Sequence, residues 1–264
     1  MDASAQPSFF DAHCHLQDER LLATREAVFS RAANAGVKAL SCCGTSEKDW
    51  GQVRELAGAH ESVRPSFGLH PWYVAGRTEQ WANALVSRLK ENPRACVGEI
   101  GLDHALDEST FADQELVFRK QLAIAAEYKR PVTIHCRWAF GRLVELLRLH
   151  GGVFQGGIVH SYSGPAELVK TIEGFGLSIS FSGSVTFPKN KRARTAVAAV
   201  SPDRLCIETD SPDLKPYQCA TELNEPANIV SVAEAVSSLL GMPVGEVAAQ
   251  TWRNAFLVFN RGES

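Results

Sequence analysis

Short apolar, β-rich runs recur along the chain, and each is followed by a longer stretch whose apolar positions have helical spacing. The runs are continuously apolar rather than alternating, which is typical of parallel strands that are covered on both faces. Eight such runs are present, at residues 9–15, 37–43, 63–69, 95–102, 132–136, 157–161, 177–185 and 204–209. This pattern predicts a parallel α/β fold.

The stretches between these runs predict amphipathic helices. The clearest of them lie at residues 21–35, 80–90, 111–128 and 140–149. Glycines stand where several of the helices are expected to stop, at Gly36, Gly151 and Gly174.

The C-terminal part of the chain has helical spacing throughout. From Glu225 onward the pattern supplies the last helix of the repeat and predicts one or two more, at residues 244–250 and 251–259. Eight strand–helix units within 264 residues are typical of a closed barrel rather than an open sheet. The sequence therefore predicts one (β/α)₈ TIM barrel domain, residues 1–264, with extra C-terminal helices.

Charged and imidazole side chains stand at the C-terminal ends of the predicted strands. His13 and His15 lie two residues apart in the first strand, so their side chains project to the same side. Four further strands end in a side chain of metal-ligand type, namely Glu99, His135, His160 and Asp210. Because the C-terminal ends of barrel strands meet at one rim, where active sites form, we expect all six in one pocket.

Each of these side chains also has an ordinary structural explanation when it is considered alone. A single histidine at a strand end is more often a hydrogen-bonded structural residue, and a single acid is more often a helix cap. Six together are better explained by bound cations, because burying acids and imidazoles in one pocket is costly without neutralising charge. The set exceeds what one tetrahedral ion accepts, so we predict two divalent ions bridged by Glu99, with Zn, Mn and Mg all compatible.

Composition and charge limit the kinds of partner. The chain has 27 Lys and Arg against 30 Asp and Glu, a net charge of −3, which excludes a grip on nucleic acid mainly through a net positive field. Contact with a polyanion would need a local patch or bound cations. The hydrophobic content of 45% is ordinary for a soluble globular protein and excludes the disordered and fibrous classes.

The cysteines and the N-terminus bear on the compartment. The seven cysteines include no C-x-x-C pair and several lie within apolar runs, which favours buried free thiols in a reducing compartment. The N-terminus lacks the features of a secretory signal, and no apolar run approaches the length of a membrane span. We expect a cytoplasmic or nuclear monomer without membrane contact.

Seven ordered motifs give the chain its resemblance to a known family. They are Asp-Ala-His-Cys-His at 11–15, Gly-Leu-His-Pro at 68–71, Gly-Glu-Ile-Gly-Leu-Asp at 98–103, and the segments 131–137, 160–164, 208–212 and 224–226. From end to end the chain resembles the TatD-type metal-dependent deoxyribonucleases of the amidohydrolase-like barrel superfamily. The resemblance implies a (β/α)₈ fold and metal-dependent cleavage of DNA, with 3′ to 5′ exonuclease action as in some relatives. It also implies two metals held by His13, His15, Glu99, His135, His160 and Asp210.

The chain departs from the family pattern on the substrate side of the pocket. Many relatives carry a second histidine after the His-Pro pair, whereas Trp72 occupies that place here and leaves His70 alone. His104 stands where an aromatic residue is common, and Ser161 and Tyr162 replace the usual Cys-Phe. None of these departures removes a predicted metal ligand.

The predicted chemistry assigns roles to residues at the rim. With Glu99 bridging the metals, Asp210 is expected to accept the proton of the attacking water as general base. His70 would bind the scissile phosphate or protonate the leaving oxygen, or it is a structural histidine before a turn proline. Arg137 would contact a phosphate, or it pairs with an acid.

Aromatic and basic residues near the rim are candidates for contacts with substrate. Trp72, Trp138 and Tyr162 could stack on unpaired bases, although packing is the expected fate of at least one of them. The basic run at residues 189–194 either follows a nucleic-acid backbone or forms a solvated helix face. The resemblance to the TatD-type deoxyribonucleases makes DNA the expected partner.

Two other functions are compatible with the same residues. The first is a barrel amidohydrolase or phosphoesterase that acts on a small molecule; Glu99 stands where such enzymes can carry a carboxylated lysine, which favours the nuclease. The second is a non-catalytic scaffold that retains the metal cluster. The complete ligand set argues against it, because a site freed from catalysis would be expected to lose ligands.

Overall fold

The computed structural model describes residues 6–150 and 155–260. Within them it contains eight strands: β1 (Phe9–Cys14), β2 (Val37–Cys43), β3 (Val63–Phe67), β4 (Cys96–Asp103), β5 (Val132–Arg137), β6 (Gly157–Val159), β7 (Leu177–Phe181) and β8 (Leu205–Ile207). Neighbouring strands are parallel and follow one another around the sheet in chain order, from β1 to β8. Helices flank this nearly closed barrel, which confirms the predicted (β/α)₈ fold.

The same part of the chain contains nine α-helices. They are α1 (Arg25–Asn34), α2 (Trp50–Ala59), α3 (Trp81–Glu91), α4 (Phe111–Glu127), α5 (Phe140–His150), α6 (Val169–Glu173), α7 (Lys191–Ala199), α8 (Ile229–Leu240) and α9 (Val244–Phe259). Each of α1 to α8 follows the strand of the same number, and α9 is additional. Short 3₁₀ turns occupy several loops, among them Pro71–Gly76 and Gly183–Thr186.

Apolar strands and an apolar stripe on the helices form the core. Strands β1 and β4 are buried along their whole length. On α4, which packs against β4, Phe118, Leu122 and Ala125 repeat at helical spacing and are buried. Burial of such side chains, at roughly 25 cal/mol per Å² of apolar surface, holds the helices on the barrel and the strand ends in place.

The barrel closes between β8 and β1 through the residues that follow β8. The Asp210 N–H donates to the His13 carbonyl at 2.9 Å. The buried Asp11 carboxylate accepts the Thr209 N–H at 2.9 Å and the Thr209 hydroxyl at 2.5 Å, and burial raises the pKa of Asp11 to about 8. These contacts hold the segment after β8 against the end of β1, which brings Asp210 beside His13 and His15.

Helix α9 packs at the opposite, N-terminal end of the barrel. Asn254 Nδ2 donates to the Leu205 carbonyl at 2.8 Å, at the start of β8. The rings of Phe10 and Phe259 stack with centroids 5.3 Å apart. This helix therefore covers the end of the barrel that lies away from the polar strand ends.

Several predicted strands were too long, and the seventh differs most from its observed bounds. The expected strand at residues 177–185 ends at Phe181, and Gly183–Thr186 forms a 3₁₀ turn instead. A Cβ atom at Gly183 would lie only 2.0 Å from the Leu214 carbonyl oxygen. The backbone of this turn therefore packs directly against the backbone of the loop after β8, with no room for a side chain between them. That tertiary contact, which has no signature in the apolar pattern, turns the chain before residue 185.

The C-terminal helices and the helix stops differ little from expectation. Residues 244–250 and 251–259 form one continuous helix, α9, rather than two. Gly36 follows α1 with a φ of 93°, and Gly174 caps α6. Gly151 lies outside the described residues.

All seven cysteines are free, and six of them are buried, as expected from their place in apolar runs. Among residues 6–150 and 155–260, no single helix has the length and hydropathy to cross a membrane. The pair Pro226–Leu240 and Val244–Phe259 satisfies those two criteria only when taken together, with a bend of 108° at the break.

Candidate metal centre

The six side chains predicted to share a pocket converge at the C-terminal mouth of the barrel. The strands and the residues just after them carry these side chains: His13 lies in β1, His15 follows it, Glu99 lies in β4, His135 lies in β5, His160 follows β6, and Asp210 follows β8. Three of them, His13, Glu99 and His160, are buried, and the others are partly buried. Residues separated by nearly the whole chain thus form one cluster.

The Glu99 carboxylate lies between two groups of imidazoles. Its Oε1 atom is 2.8 Å from His160 Nε2 and 3.0 Å from His135 Nδ1. Its Oε2 atom is 3.3 Å from both His13 Nε2 and His15 Nε2. Each oxygen therefore faces a different pair of ring nitrogens, which is the arrangement that a bridging carboxylate requires.

The first group has the spacing of a tetrahedral cation site. His13 Nε2 and His15 Nε2 are 3.1 Å apart, and each is 3.4 Å from Asp210 Oδ1. Nitrogen and oxygen ligands that hold a cation tetrahedrally at about 2.0–2.2 Å lie about 3.3–3.6 Å from one another. With the Glu99 Oε2 distances, the observed separations match that range closely, so these four residues fit a divalent ion.

The second group surrounds the other oxygen of Glu99. His135 Nδ1 and His160 Nε2 are 3.3 Å apart, and His70 Nε2 lies 3.3 Å from Glu99 Oε1. Glu99 Oε1, His135 Nδ1 and His160 Nε2 lie within 3.3 Å of one another, close enough to share one divalent cation. His70 thus lies beside this second group, next to Glu99.

His70 is oriented by the turn that it begins. Its Nδ1 atom accepts the Trp72 backbone N–H at 3.1 Å, so the imidazole caps the 3₁₀ turn Pro71–Gly76. Burial lowers the pKa of His70 to about 4, which keeps the ring neutral. A neutral ring whose Nδ1 accepts a hydrogen bond carries its proton on Nε2, the atom that faces Glu99. The structural and the functional interpretations of this histidine are therefore compatible.

Three of the imidazoles are held by partners behind them. His15 Nδ1 lies 2.7 Å from the Cys43 carbonyl, and His160 Nδ1 lies 3.3 Å from Glu208 Oε1. His135 Nε2 lies 3.2 Å from Asp103 Oδ2. Such contacts fix the tautomer and direct the remaining ring nitrogen to the centre.

The carboxylates behind two of these rings were missed as functional residues in the sequence. Glu208 and Asp103 are both fully buried at the ends of β8 and β4. Glu208 Oε2 also accepts the Ser180 hydroxyl, and Asp103 Oδ1 accepts the Ala105 N–H at 2.9 Å. The sequence signal for them was a second acid within the same strand-end motif, and it becomes informative only once the structure shows that this acid lies behind a histidine of the centre.

The charges of the centre depend on one another. Burial alone would raise the pKa of Glu99, but His70, His160 and His13 around it hold that pKa well below its usual value of 4.5. Burial would likewise lower the pKa of His160, yet Glu99 and Glu208 raise it well above 6.5. The ionised carboxylate therefore requires positive charge at its side, and bound cations would supply it in place of protons on the imidazoles.

Asp210 is the least enclosed acid of the cluster. Its carboxylate is 13% exposed, whereas that of Glu99 is 3% exposed. Burial opposes its ionisation, but hydrogen bonding to His15 and the charges of His13 and His160 hold the pKa of Asp210 below its usual value. An ionised carboxylate at the open side of the cluster is suited to accept a proton.

The predicted substrate-binding residues lie at the edge of this centre. Arg137 ends β5 and is exposed, with its guanidinium 5.2 Å from the ring centroid of Trp138. Among the described residues no carboxylate lies within 4.0 Å of Arg137, so it is not an ion-paired structural arginine there.

Trp72 is 52% exposed, and Tyr162 is fully buried and donates its hydroxyl to the Pro165 carbonyl at 2.7 Å. Tyr162 is therefore a packing residue.

Comparison with known proteins places this barrel in a family. Residues 10–260 match the family described as TatD related DNase. The chain belongs to the TatD-related DNase family. The match covers all eight strands but for the first residue of β1, and it includes every member of the cluster. Membership makes the chain a metal-dependent hydrolase of the TatD type.

Relatives of the TatD family resemble the chain over nearly its whole length. An uncharacterized metal-dependent hydrolase of Bacillus subtilis, YabD, is 33% identical over 95% of this chain and 98% of its own length. A protein of Erwinia tasmaniensis named 3′-5′ ssDNA/RNA exonuclease TatD is 31% identical over 95% of this chain and 99% of its own. The crystal structure of the TatD homologue YjjV from Escherichia coli superposes with a TM-score of 0.90 at 29% identity, over 96% and 98% of the two chains.

Proposed function

We propose that this TatD-family hydrolase cleaves phosphodiester bonds of DNA, with two divalent cations, from the 3′ end. The observation that carries the proposal is the position of Glu99, whose two oxygens face separate groups of imidazoles. Two cations a few ångströms apart are a recurring arrangement for in-line displacement at phosphorus. The name of the Erwinia tasmaniensis relative supports a nucleic-acid substrate.

The side chains on the two sides of Glu99 would hold the ions. His13, His15 and Asp210 would hold one ion, His135 and His160 the other, and Glu99 both. When bound, such cations lower the pKa of a water molecule and neutralise charge on the phosphate. The mixed nitrogen and oxygen donors are compatible with Zn, Mn and Mg.

The remaining chemistry belongs to side chains of this chain. Asp210, ionised and open to solvent on one side, accepts the proton of the attacking water as general base. His70 is neutral with its proton on Nε2, so it donates a hydrogen bond to the scissile phosphate; protonation of the leaving oxygen would require the imidazolium form, which burial disfavours. Arg137 contacts a neighbouring phosphate, and the exposed face of Trp72 packs on a base.

The test is hydrolysis of single-stranded DNA labelled at its 5′ end, with Mg²⁺, Mn²⁺ or Zn²⁺ added and with a chelator. We expect progressive shortening from the 3′ end that the chelator abolishes. Asp210→Asn should lower the rate by about 10²–10⁴-fold, and Glu99→Gln should also lose bound metal. Asp203→Asn is the matched control, because this acid is 78% exposed on the turn before β8.

The same assay separates the competing functions. Cleavage of small esters or amides in place of DNA would show that the substrate is a small molecule, and it would overturn the nuclease proposal. Retention of metal without hydrolysis of either substrate would favour a scaffold. Activity of Asp210→Asn equal to that of the wild type would remove the general base from the scheme.

A further inference from the structure

A cavity of ≈ 730 Å³ opens at the rim of the barrel, beside the metal centre. The loop between β7 and α7 forms one wall with Ser184, Phe187 and Lys189, and the loop after β8 forms the other with Leu214 and Lys215. None of these residues belongs to the cluster around Glu99. The cavity is therefore a separate feature of the same mouth.

Both walls are connected to the metal centre. Asp213, in one wall, donates its backbone N–H to the Asp210 carbonyl at 2.9 Å, so the wall and the proposed general base share one turn. On the other side the hydroxyls of Ser161, Ser182 and Ser184 form a row with O–O distances of 2.8 and 3.3 Å. Ser161 follows a histidine of the centre directly, and Ser184 lines the cavity. A substrate chain at the centre would thus continue into the cavity.

Large apolar side chains are exposed at this cavity. Phe187 is 41% exposed and Leu214 is 43% exposed. Tyr217, 48% exposed, lies edge-on to Phe187 with ring centroids 5.4 Å apart, which holds the Phe187 ring in place. Exposed aromatic surface beside an active site is typical of a binding surface, and the face of an unpaired base is complementary to it.

Positive charge accompanies these side chains. Arg20 is neutralised, because Asp213 binds its guanidinium at 2.9 and 2.7 Å and Asp18 binds it at 2.9 and 2.8 Å. Lys189 and Lys215 are exposed, and the lining includes Glu222 as the remaining acid. The N-terminus of α7, capped by Asn190, also faces the cavity and adds partial positive charge. Acids and bases around the cavity are equal in number, so the positive charge is local, at Lys189, Lys215 and the start of α7, where it can meet a phosphodiester chain.

We propose that this cavity is a subsite for one nucleotide of single-stranded nucleic acid, next to the phosphate that is cleaved; this inference rests on the proposed function. The base lies against Phe187 and Leu214, and flanking phosphates contact Lys189 and Lys215. The volume lies within the range of about 300–1,000 Å³ that is common for ligand sites. Because paired bases hide their faces, the subsite selects unpaired strands.

Binding can be measured without cleavage. The metal-loaded protein is titrated into a fluorescent, phosphorothioate-linked thymidine oligonucleotide, and into an abasic oligomer of the same length, and anisotropy is recorded. Phe187→Ala should raise Kd for the thymidine strand about 5- to 100-fold and reduce its preference over the abasic strand. Lys189→Ala should lower the slope of log Kd against log salt by about 0.7. Phe256→Ala is the matched control, because Phe256 is 45% exposed on α9 at the opposite end.

A small diester separates this subsite from the proposed function. Hydrolysis of bis(p-nitrophenyl) phosphate needs the centre but no flanking nucleotide, so Phe187→Ala should leave it unchanged while KM for the oligonucleotide rises. If the wild type hydrolyses no phosphodiester, the proposed function fails, and the anisotropy data still decide on the subsite. Equal Kd for wild type and Phe187→Ala, or an equal loss of activity on both substrates, would overturn the subsite.

Discussion

Trp72 donates its indole N–H to Asp103 Oδ2 at 2.6 Å, and the same oxygen lies 3.2 Å from His135 Nε2. The tryptophan that replaces the second histidine of the usual family motif therefore acts on the metal centre through an acid. Burial opposes ionisation of Asp103, but the hydrogen bonds from His135 and Trp72 hold its pKa at about 2. Asp103 is thus a charged acceptor that orients the His135 ring.

Removing either partner of this contact should weaken metal binding. Trp72→Phe keeps an aromatic side chain, though a smaller one, and deletes the N–H. Asp103→Asn replaces the charged acceptor behind His135. We expect metal affinity to fall about 10- to 100-fold in Asp103→Asn, as for other partners of metal-binding histidines, and less in Trp72→Phe. Calorimetric titration of the metal-free protein with Mn²⁺ or Zn²⁺ measures this. Trp138→Phe, at a tryptophan 70% exposed, is the control and should bind metal as the wild type does.

Glu208→Gln should disturb His160. Glu208 Oε1 faces His160 Nδ1 at 3.3 Å, and Glu208 is fully buried. The amide loses the charge that fixes the protonated Nδ1, so we expect about 10-fold weaker metal binding or more. Nitrogen NMR of the histidine side chains should also show a changed tautomer for His160. An unchanged His160 spectrum together with wild-type metal affinity would contradict the assignment of Glu208 as a positioning residue.

Gly101→Ala should destabilise the barrel next to the metal centre. Gly101 has a φ of 149°, and a Cβ atom there would lie 1.9 Å from the His135 carbonyl oxygen. Relief requires β4 and β5 to separate, so we expect a loss of about 2–4 kcal/mol in the free energy of unfolding, measured in urea. Gly58→Ala in α2, where an added Cβ meets nothing within 4 Å, is the control. It should be neutral or stabilising by up to about 1 kcal/mol.

Glu173 links the end of α6 to the segment before β8, and its contribution should depend on pH. Its carboxylate accepts the Ser201 N–H at 2.6 Å and the Ser201 hydroxyl at 2.7 Å, and Lys170 Nζ lies at 3.0 Å. Burial opposes ionisation, but these hydrogen bonds lower the pKa of Glu173 below its usual value of 4.5. Since the folded-state pKa is the lower one, the stabilisation is complete above about pH 4.5 and is lost as pH falls through the folded-state pKa.

Glu173→Gln should therefore lower the free energy of unfolding by about 1–2 kcal/mol at pH 7. The difference from the wild type should shrink as the pH falls below 4.5, because the wild-type carboxyl is then protonated. Urea denaturation at several pH values measures both effects. Glu234→Gln, at an exposed acid of α8, should show no such trend. A difference that stays constant with pH would mean that the carboxylate charge contributes nothing.

Much of the fold follows from local patterns. Continuous apolar runs with helical stretches between them predicted eight parallel strands in a barrel, because a parallel strand buried on both faces must be apolar along its length. The same patterns placed His13, Glu99 and Asp210 at strand ends, and barrel geometry alone then requires that such ends meet. The turn at Gly183 was not predictable, since it depends on the backbone of a loop some 30 residues further on.

The sequence by itself determined the barrel and the residues that gather at its mouth. Only the tertiary structure decided which atoms face one another: that Glu99 divides its oxygens between two pairs of rings, and that Asp103 and Glu208 stand behind His135 and His160. The physical reason is range. The spacing of apolar residues within a segment indicates which of its faces is buried, and that pattern is local. A hydrogen bond or a metal site instead depends on distances that must be right to a few tenths of an ångström, between segments that meet only after folding.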